Sequence, residues 1–184
     1  MLDAAVRDIG QATQVEELSP GLSRVELHGE LPLGWCGNLA AGLSQRGVSI
    51  VRGNAERQGT GWNVVLEVQA EEGADPREID FKSLAMEKAQ DTNGAPRLES
   101  FVLTLPRRGA AVELTVRGPD RRGFLAAFLE RLALLGLFPE RISVETVHGM
   151  AADTFWLQAT GGQPPTERAI EALREFLRGV TSAG

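Results

Sequence analysis

The chain has 184 residues, a net charge of −6 and 42% hydrophobic residues. That is enough for one domain or two small ones with a real core, and the acidic balance gives no general steering toward nucleic acid or an anionic membrane. The single cysteine, Cys36, excludes an intramolecular disulfide and gives no sign of oxidising export. Met1 to Gln14 lacks the apolar core of a signal peptide, and no apolar run approaches the roughly 18 residues of a membrane span. The expectation is a cytoplasmic protein with no membrane partner.

In chain order, residues 1–10 read as a ragged start or a short helix, and Gln11 to Leu18 as a weak strand. Ser19-Pro20-Gly21 is a turn signal. Val25 to His28 alternates apolar and polar residues as a half-buried strand does. Pro32 and Gly34 end it, and a helix follows from Trp35 to about Arg46, with Leu39 and Leu43 on one face and Gly47 suited to its C-terminal cap. Val48 to Asn54 and Trp62 to Val68 are strands joined by the hairpin loop Gln58-Gly59-Thr60-Gly61. Asp75-Pro76-Arg77-Glu78 carries the marks of a helix start: a capping Asp, a Pro at the first position and a Glu three after the cap. That helix would carry Ile79, Leu84 and Ala85 and fray near Asp91 to Gly94.

The second half runs the same way. Leu98 to Leu105 is a strand with Phe101, Leu103 and Leu105 on one face, Pro106 to Gly109 a turn, and Ala111 to Val116 a strand. Arg122 to Leu135 is a helix with the apolar stripe Leu125, Phe128, Leu129 and Leu132. Ile142 to Val147 and Phe155 to Ala159 are strands, and Pro164-Pro165-Thr166 opens a last helix with Ile170, Leu173, Phe176 and Leu177 inward. Gly123 follows Gly34 by 89 residues, and Gly136 follows Gly47 by the same 89. This is the signature of a tandem duplication. Too little chain follows the last helix for a closing strand, whereas Leu98 to Leu105 precedes the second half by a short turn. Each half is therefore expected to be ββαββα, a permuted ferredoxin-like order. The fold class is α+β: two domains, 1–94 and 95–184, each a four-stranded antiparallel sheet with two helices on one face.

The run Asp120-Arg121-Arg122-Gly123-Phe124-Leu125, after a strand and before a helix that reaches Gly136 in thirteen residues, resembles the opening of an ACT domain whose first loop reads Asp-Arg-Pro-Gly-Leu-Leu. Arg122 stands in place of the Pro, and Gly136-Leu137-Phe138-Pro139 departs from the pattern that usually follows. In the first half Leu31 stands where the acidic residue would be, while Gly34 and Val48-Ser49-Ile50 keep the pattern. Free-standing tandem ACT regulators of this size include those similar to the glycine cleavage system transcriptional repressor; the resemblance is to the domain type, not to that protein. It implies regulatory binding of a small ligand, often an amino acid, at interfaces between such domains.

The turn residues have a physical case for that role. Gly123 allows close backbone approach, and the helix entrance offers unpaired N–H groups to a carboxylate. Asp120 suits an ammonium group, and Arg121 or Arg122 a second carboxylate. The plainer account is that Asp120 caps the helix and Gly123 lets it pack; sequence leaves both open. The candidate ligand residues are Asp120, Arg121, Arg122, Gly123 and Phe124, with Gly34, Trp35 and Cys36 in the first half. Lacking an acidic residue at its turn, the first half is expected to serve more for packing and the second to hold the better site.

Enzyme chemistry finds little support. Cys36 and His28 form a conceivable nucleophile pair, but His28 falls on the polar face of its strand. Two His and one Cys offer no metal-ligand spacing, and no phosphate loop or dinucleotide fingerprint is present. No catalytic residue, metal or cofactor is expected. Trp35, Trp62 and Trp156 read as core or interface aromatics, and a chain without Tyr poorly supports an RNA-binding sheet. Arg107, Arg108, Arg117, Arg121 and Arg122 form the one basic cluster, a solvated loop by default. Two functions remain: a ligand-sensing regulatory module, or an interaction protein whose ACT-like units serve assembly with a partner enzyme or transcription regulator. Either way a homo-oligomer or partner protein is expected, and direct nucleic-acid contact is not.

Overall fold

The computed structural model describes residues 13–88, 95–105 and 111–181. Over them the chain forms β1 (Thr13–Ser19), β2 (Leu22–Gly29), α1 (Trp35–Gln45), β3 (Val48–Gln58), β4 (Gly61–Ala70) and α2 (Phe81–Met86), then β5 (Ser100–Thr104), β6 (Val112–Pro119), α3 (Phe124–Leu134), β7 (Leu137–Val147), β8 (Met150–Ala159) and α4 (Glu167–Val180). Both halves read ββαββα. The expected pairing of the extra strand holds: β5 is antiparallel to β6, Phe101 opposite Val116 and Leu103 opposite Leu114. The expected domain boundary and the Pro106 to Gly109 turn, with Arg107 and Arg108, fall on residues outside those described, as do residues 1–10.

All eight strands join in one antiparallel sheet, in the order β1-β2-β4-β3-β7-β8-β6-β5. The seam between the halves is β3 against β7, with Arg52 opposite Glu145, Asn54 opposite Ser143 and Glu56 opposite Arg141. Shifted by the 89-residue repeat, Arg52–Glu145 maps onto Glu56–Arg141 and Asn54–Ser143 onto itself. The seam is thus self-complementary in the manner of a twofold homodimer interface, folded inside one chain. Gly53 lies on the seam, where a Cβ would come within 2.5 Å of Leu66 Cδ2 and 3.3 Å of Val144 Cγ2.

One face of the sheet carries the helices and the core. Val25, Leu27, Val64, Leu66 and Val68 project from the first half, and Val112, Leu114, Val116, Phe155 and Leu157 from the second. Phe128 is fully buried among Phe124, Phe155 and Phe176, with ring centroids 5.5–6.0 Å apart. α3 buries more than its single predicted stripe, because Ala126 meets Ala40 and Ala41 of α1. These small side chains let the two helices run close across the seam. The opposite sheet face is polar: the Trp156 indole donates to Glu113 (3.1 Å), Arg141 lies 4.6 Å above the Trp156 ring, and Thr115 pairs with Thr154.

Two local expectations are corrected. The helix read from Asp75 is broken. Asp75 does cap, accepting from the Arg77 amide (2.9 Å), but the Arg77 guanidinium closes on the same carboxylate and only one 3-10 turn forms, Pro76–Glu78. Asp80 then caps afresh, accepting from the Ser83 amide, and α2 begins at Phe81. In the second half β5 stops at Thr104, so Leu105 is 46% exposed and does not join Phe101 and Leu103.

Candidate functional site

Each half turns from its second strand into its first helix through a glycine in the left-handed region. Gly34 has φ 81° and Gly123 φ 79°, and each is a helix N-cap without any side-chain cap bond. A Cβ at either would meet nothing within 4 Å. These glycines are set by backbone conformation, then, and not by a need to pack. In α1 the Trp35 amide donates to Pro32 O and the Asn38 amide to Gly34 O. Among the described residues the amides of Cys36 and Gly37 have no acceptor, as expected for the first turn of a helix.

The seam places each turn opposite the start of the other half's third strand, and a cleft lies between them. The larger has a volume of about 400 Å³. One wall is the first half: Leu31 to Asn38 with Ala41, and Arg57, Thr60 and Trp62 from the hairpin. The other wall is the second half: Ala126, Leu129, Glu130 and Ala133 of α3, Leu137 to Glu140 and Ile142 of β7, and residues 158, 159, 161 and 162. Trp35, 3% exposed, meets Trp62 edge-on at 5.1 Å. The three candidate residues of the first half, Gly34, Trp35 and Cys36, all line this cleft.

The second cleft has a volume of about 130 Å³ and brings Asp120, Arg121, Arg122, Gly123 and Phe124 against Val48, Ser49 and Ile50. All five candidates of the second half are therefore together. Two of them are already engaged. Asp120 does not cap α3; it accepts from Thr146 Oγ1 at 2.7 Å. Arg122 forms an ion pair with Glu71, from the segment that follows β4. The roomier cleft thus lies at the turn without the acidic residue. Arg122 of the ion pair lines the second cleft, and its repeat counterpart Leu33 lines the first.

Several lining residues escaped sequence reasoning. Arg57 lies opposite Trp62 on the inward face of the sheet. Glu140 is the extra residue of a β-bulge in β7, where pairing passes from Pro139–Leu157 to Arg141–Trp156. A bulge re-aims its extra side chain. Pro139, a residue that strands tolerate at bulges, was the available signal.

Burial, reinforced by the Asp153 carboxylate, pushes the Cys36 thiol up to about 12, so it is neutral at physiological pH and a poor nucleophile. His28 sits on the outer sheet face, 3.8 Å from Glu26, across the sheet from α1. Asp153 itself is 3% exposed on the helix-bearing face of β8. Burial pushes its carboxyl up to about 7, opposed by a 3.3 Å hydrogen bond from the Glu145 amide and aided by the Asp120 charge. Among the described residues no three His, Cys, Asp or Glu side chains converge as a metal site, and no helix is long and apolar enough to cross a membrane.

The strand order and register define two ferredoxin-like units, joined edge to edge with a cleft at each turn beside the join. No protein-family model and no curated protein matches the sequence. Among solved structures the chain is similar to the aspartate kinase from Synechocystis, with a TM-score of 0.46 and 16% identity, over 87% of this chain and 27% of that one. The chain thus spans about a quarter of that protein's length.

Proposed function

We propose that this chain is a non-catalytic regulatory module that binds a small ligand, an amino acid, in the larger cleft between its two halves. The observation that carries the reading is the cleft itself: about 400 Å³, within the range of small-molecule sites, with unpaired amides at one end and walls from both halves. A ligand there touches α1 and the turn before it on one side, α3 and β7 on the other. Its occupancy therefore bears on how firmly the halves are held together, which is what a regulatory unit needs. The neutral Cys36 thiol and the separation of His28 from it support the non-catalytic reading, and a thiol left unpaired suits a cytoplasmic setting.

The test is thermal unfolding of the whole chain with each amino acid in turn. A ligand at about 100 times its Kd adds about 2.7 kcal/mol to the folded state, a rise of roughly 5–10 °C for a chain of this size. A flat response to all twenty would sink the reading. A second reading, assembly with a second copy or a partner protein, is favoured by the sheet's free edge at β5, where Val102 is 62% exposed. A rise in molecular mass with concentration, lost on Val102→Lys, would support it.

A further inference from the structure

We infer that the larger cleft selects an α-amino acid with a bulky apolar or aromatic side chain, its two charges fixed by Arg57 and Glu140. This rests on the function proposed above and specifies its ligand. The first ground is shape. Trp35 and Trp62 form one wall, and Leu129 and Ile142 stand across from them. A cleft of about 400 Å³ with such walls leaves most of its apolar surface uncovered when it holds glycine, serine or aspartate. A large apolar side chain covers it and gains the hydrophobic free energy of doing so.

The second ground is charge. Four charged side chains line the cleft, Arg57, Lys88, Glu130 and Glu140, and their charges cancel. Among the described residues none of the four is in an ion pair. A neutral lining made of separate, uncommitted charges matches a zwitterion better than a cation or a dianion. Arg57 shares the inward face with Trp62 and, with the Cys36 and Gly37 amides, suits the carboxylate. Glu140, turned into the cleft by its bulge, suits the ammonium group.

The third ground is the internal control that the repeat supplies. At the positions equivalent to Arg57 and Glu140, the second half has Thr146 and the first half Val51. Thr146 is bonded to Asp120. The smaller cleft, lined by its own Asp120, Arg121 and Arg122, therefore has no counterpart of either residue, and the Arg57–Glu140 pair belongs to the larger cleft alone.

Calorimetric titration of the whole chain with L-phenylalanine, L-leucine, glycine, L-aspartate, 3-phenylpropionate and phenethylamine tests this. Phenylalanine or leucine should bind about 10-fold or more tightly than the other four, since each of those lacks a charge-assisted hydrogen bond or the apolar body. Glu140→Gln should weaken the amino acid by about 10-fold or more and leave 3-phenylpropionate, which has no amine, unchanged. Ala133→Trp, which fills the cleft, should abolish binding. Tighter binding of glycine or aspartate overturns the inference and leaves the amino-acid reading intact. Equal losses for phenylalanine and 3-phenylpropionate in Glu140→Gln also overturn it, since the residue would then not face the amine. Silence from all twenty amino acids removes the proposed function and this inference together.

Discussion

Asp153→Asn should flatten the pH dependence of stability on the mildly acid side of neutrality. The carboxyl is enclosed on the core face of β8, where its repeat counterpart in the first half is Val64. Burial pushes it up to about 7 from an ordinary value of 3.8. Between those values the folded chain keeps a proton that the unfolded chain has released. For this raised carboxyl the contribution to stability is greatest below about pH 4, declines as pH rises through the window, and levels above about 7. About three pH units correspond to about 4 kcal/mol, an upper figure because local rearrangement admits water to an ionised group. Asn cannot ionise, and its Oδ1 can still accept from the Glu145 amide, the bond that Asp153 accepts at 3.3 Å. Urea unfolding at pH 4, 5, 6, 7 and 8 on both proteins measures the difference. The variant should gain steadily on the parent from pH 4 to 7, by about 2–4 kcal/mol at the end. Parallel curves would show that Asp153 ionises in the folded chain as easily as in the unfolded one, and the argument from burial would fail.

Gly118→Ala would place Cβ 2.5 Å from the Arg97 carbonyl oxygen and 3.2 Å from Leu98 Cα, both backbone, and Leu98 is tied to Val180 O at 2.9 Å. A loss of about 1–3 kcal/mol is expected, and an unchanged urea midpoint would refute the close approach. Phe128→Ala opens the aromatic cluster beneath α3 and should cost about 3–5 kcal/mol by the same measurement; a cost under 1 kcal/mol would mean the core collapses around the gap. Glu71→Gln removes an ion pair whose side chains are 62% and 52% exposed, so stability should change by less than about 1 kcal/mol; a larger loss would make the pair a true clasp. Iodoacetamide should label Cys36 slowly at pH 8 in the native protein and fast in urea, because its thiol is pushed up to about 12; rapid native labelling would contradict that environment.

The duplication and its permutation were legible because glycines with left-handed φ mark turns that nothing else fills easily. Gly34 and Gly123, and Gly47 and Gly136, return at φ values within 2° of each other. The hairpin before β6 was legible from strand counting. What the sequence concealed depends on contacts between distant segments. Joining β3 to β7 requires only that two exposed edges complement each other, and the alternation of Arg52, Asn54 and Glu56 looks like any solvated strand. The break before α2 was hidden by two good caps five residues apart, Asp75 and Asp80, of which the first is held by Arg77. The engagement of Arg122 by Glu71 spans 51 residues. Arg57 and Glu140 of the larger cleft were concealed for a related reason: they lie on a hairpin and on a bulge, neither within the glycine motif at the turn.

Covalent linkage of the two halves has a consequence for recognition. Where two identical polypeptides associate about an axis, any substitution at one cleft is imposed on the other. Here each cleft is encoded separately, so Val51 and Glu140, or Leu33 and Arg122, hold matching places with unrelated side chains. A single molecule can thus give its two recesses different linings, one bordered by the Arg122–Glu71 ion pair and the other not, an asymmetry that a homodimer of half-length chains cannot encode.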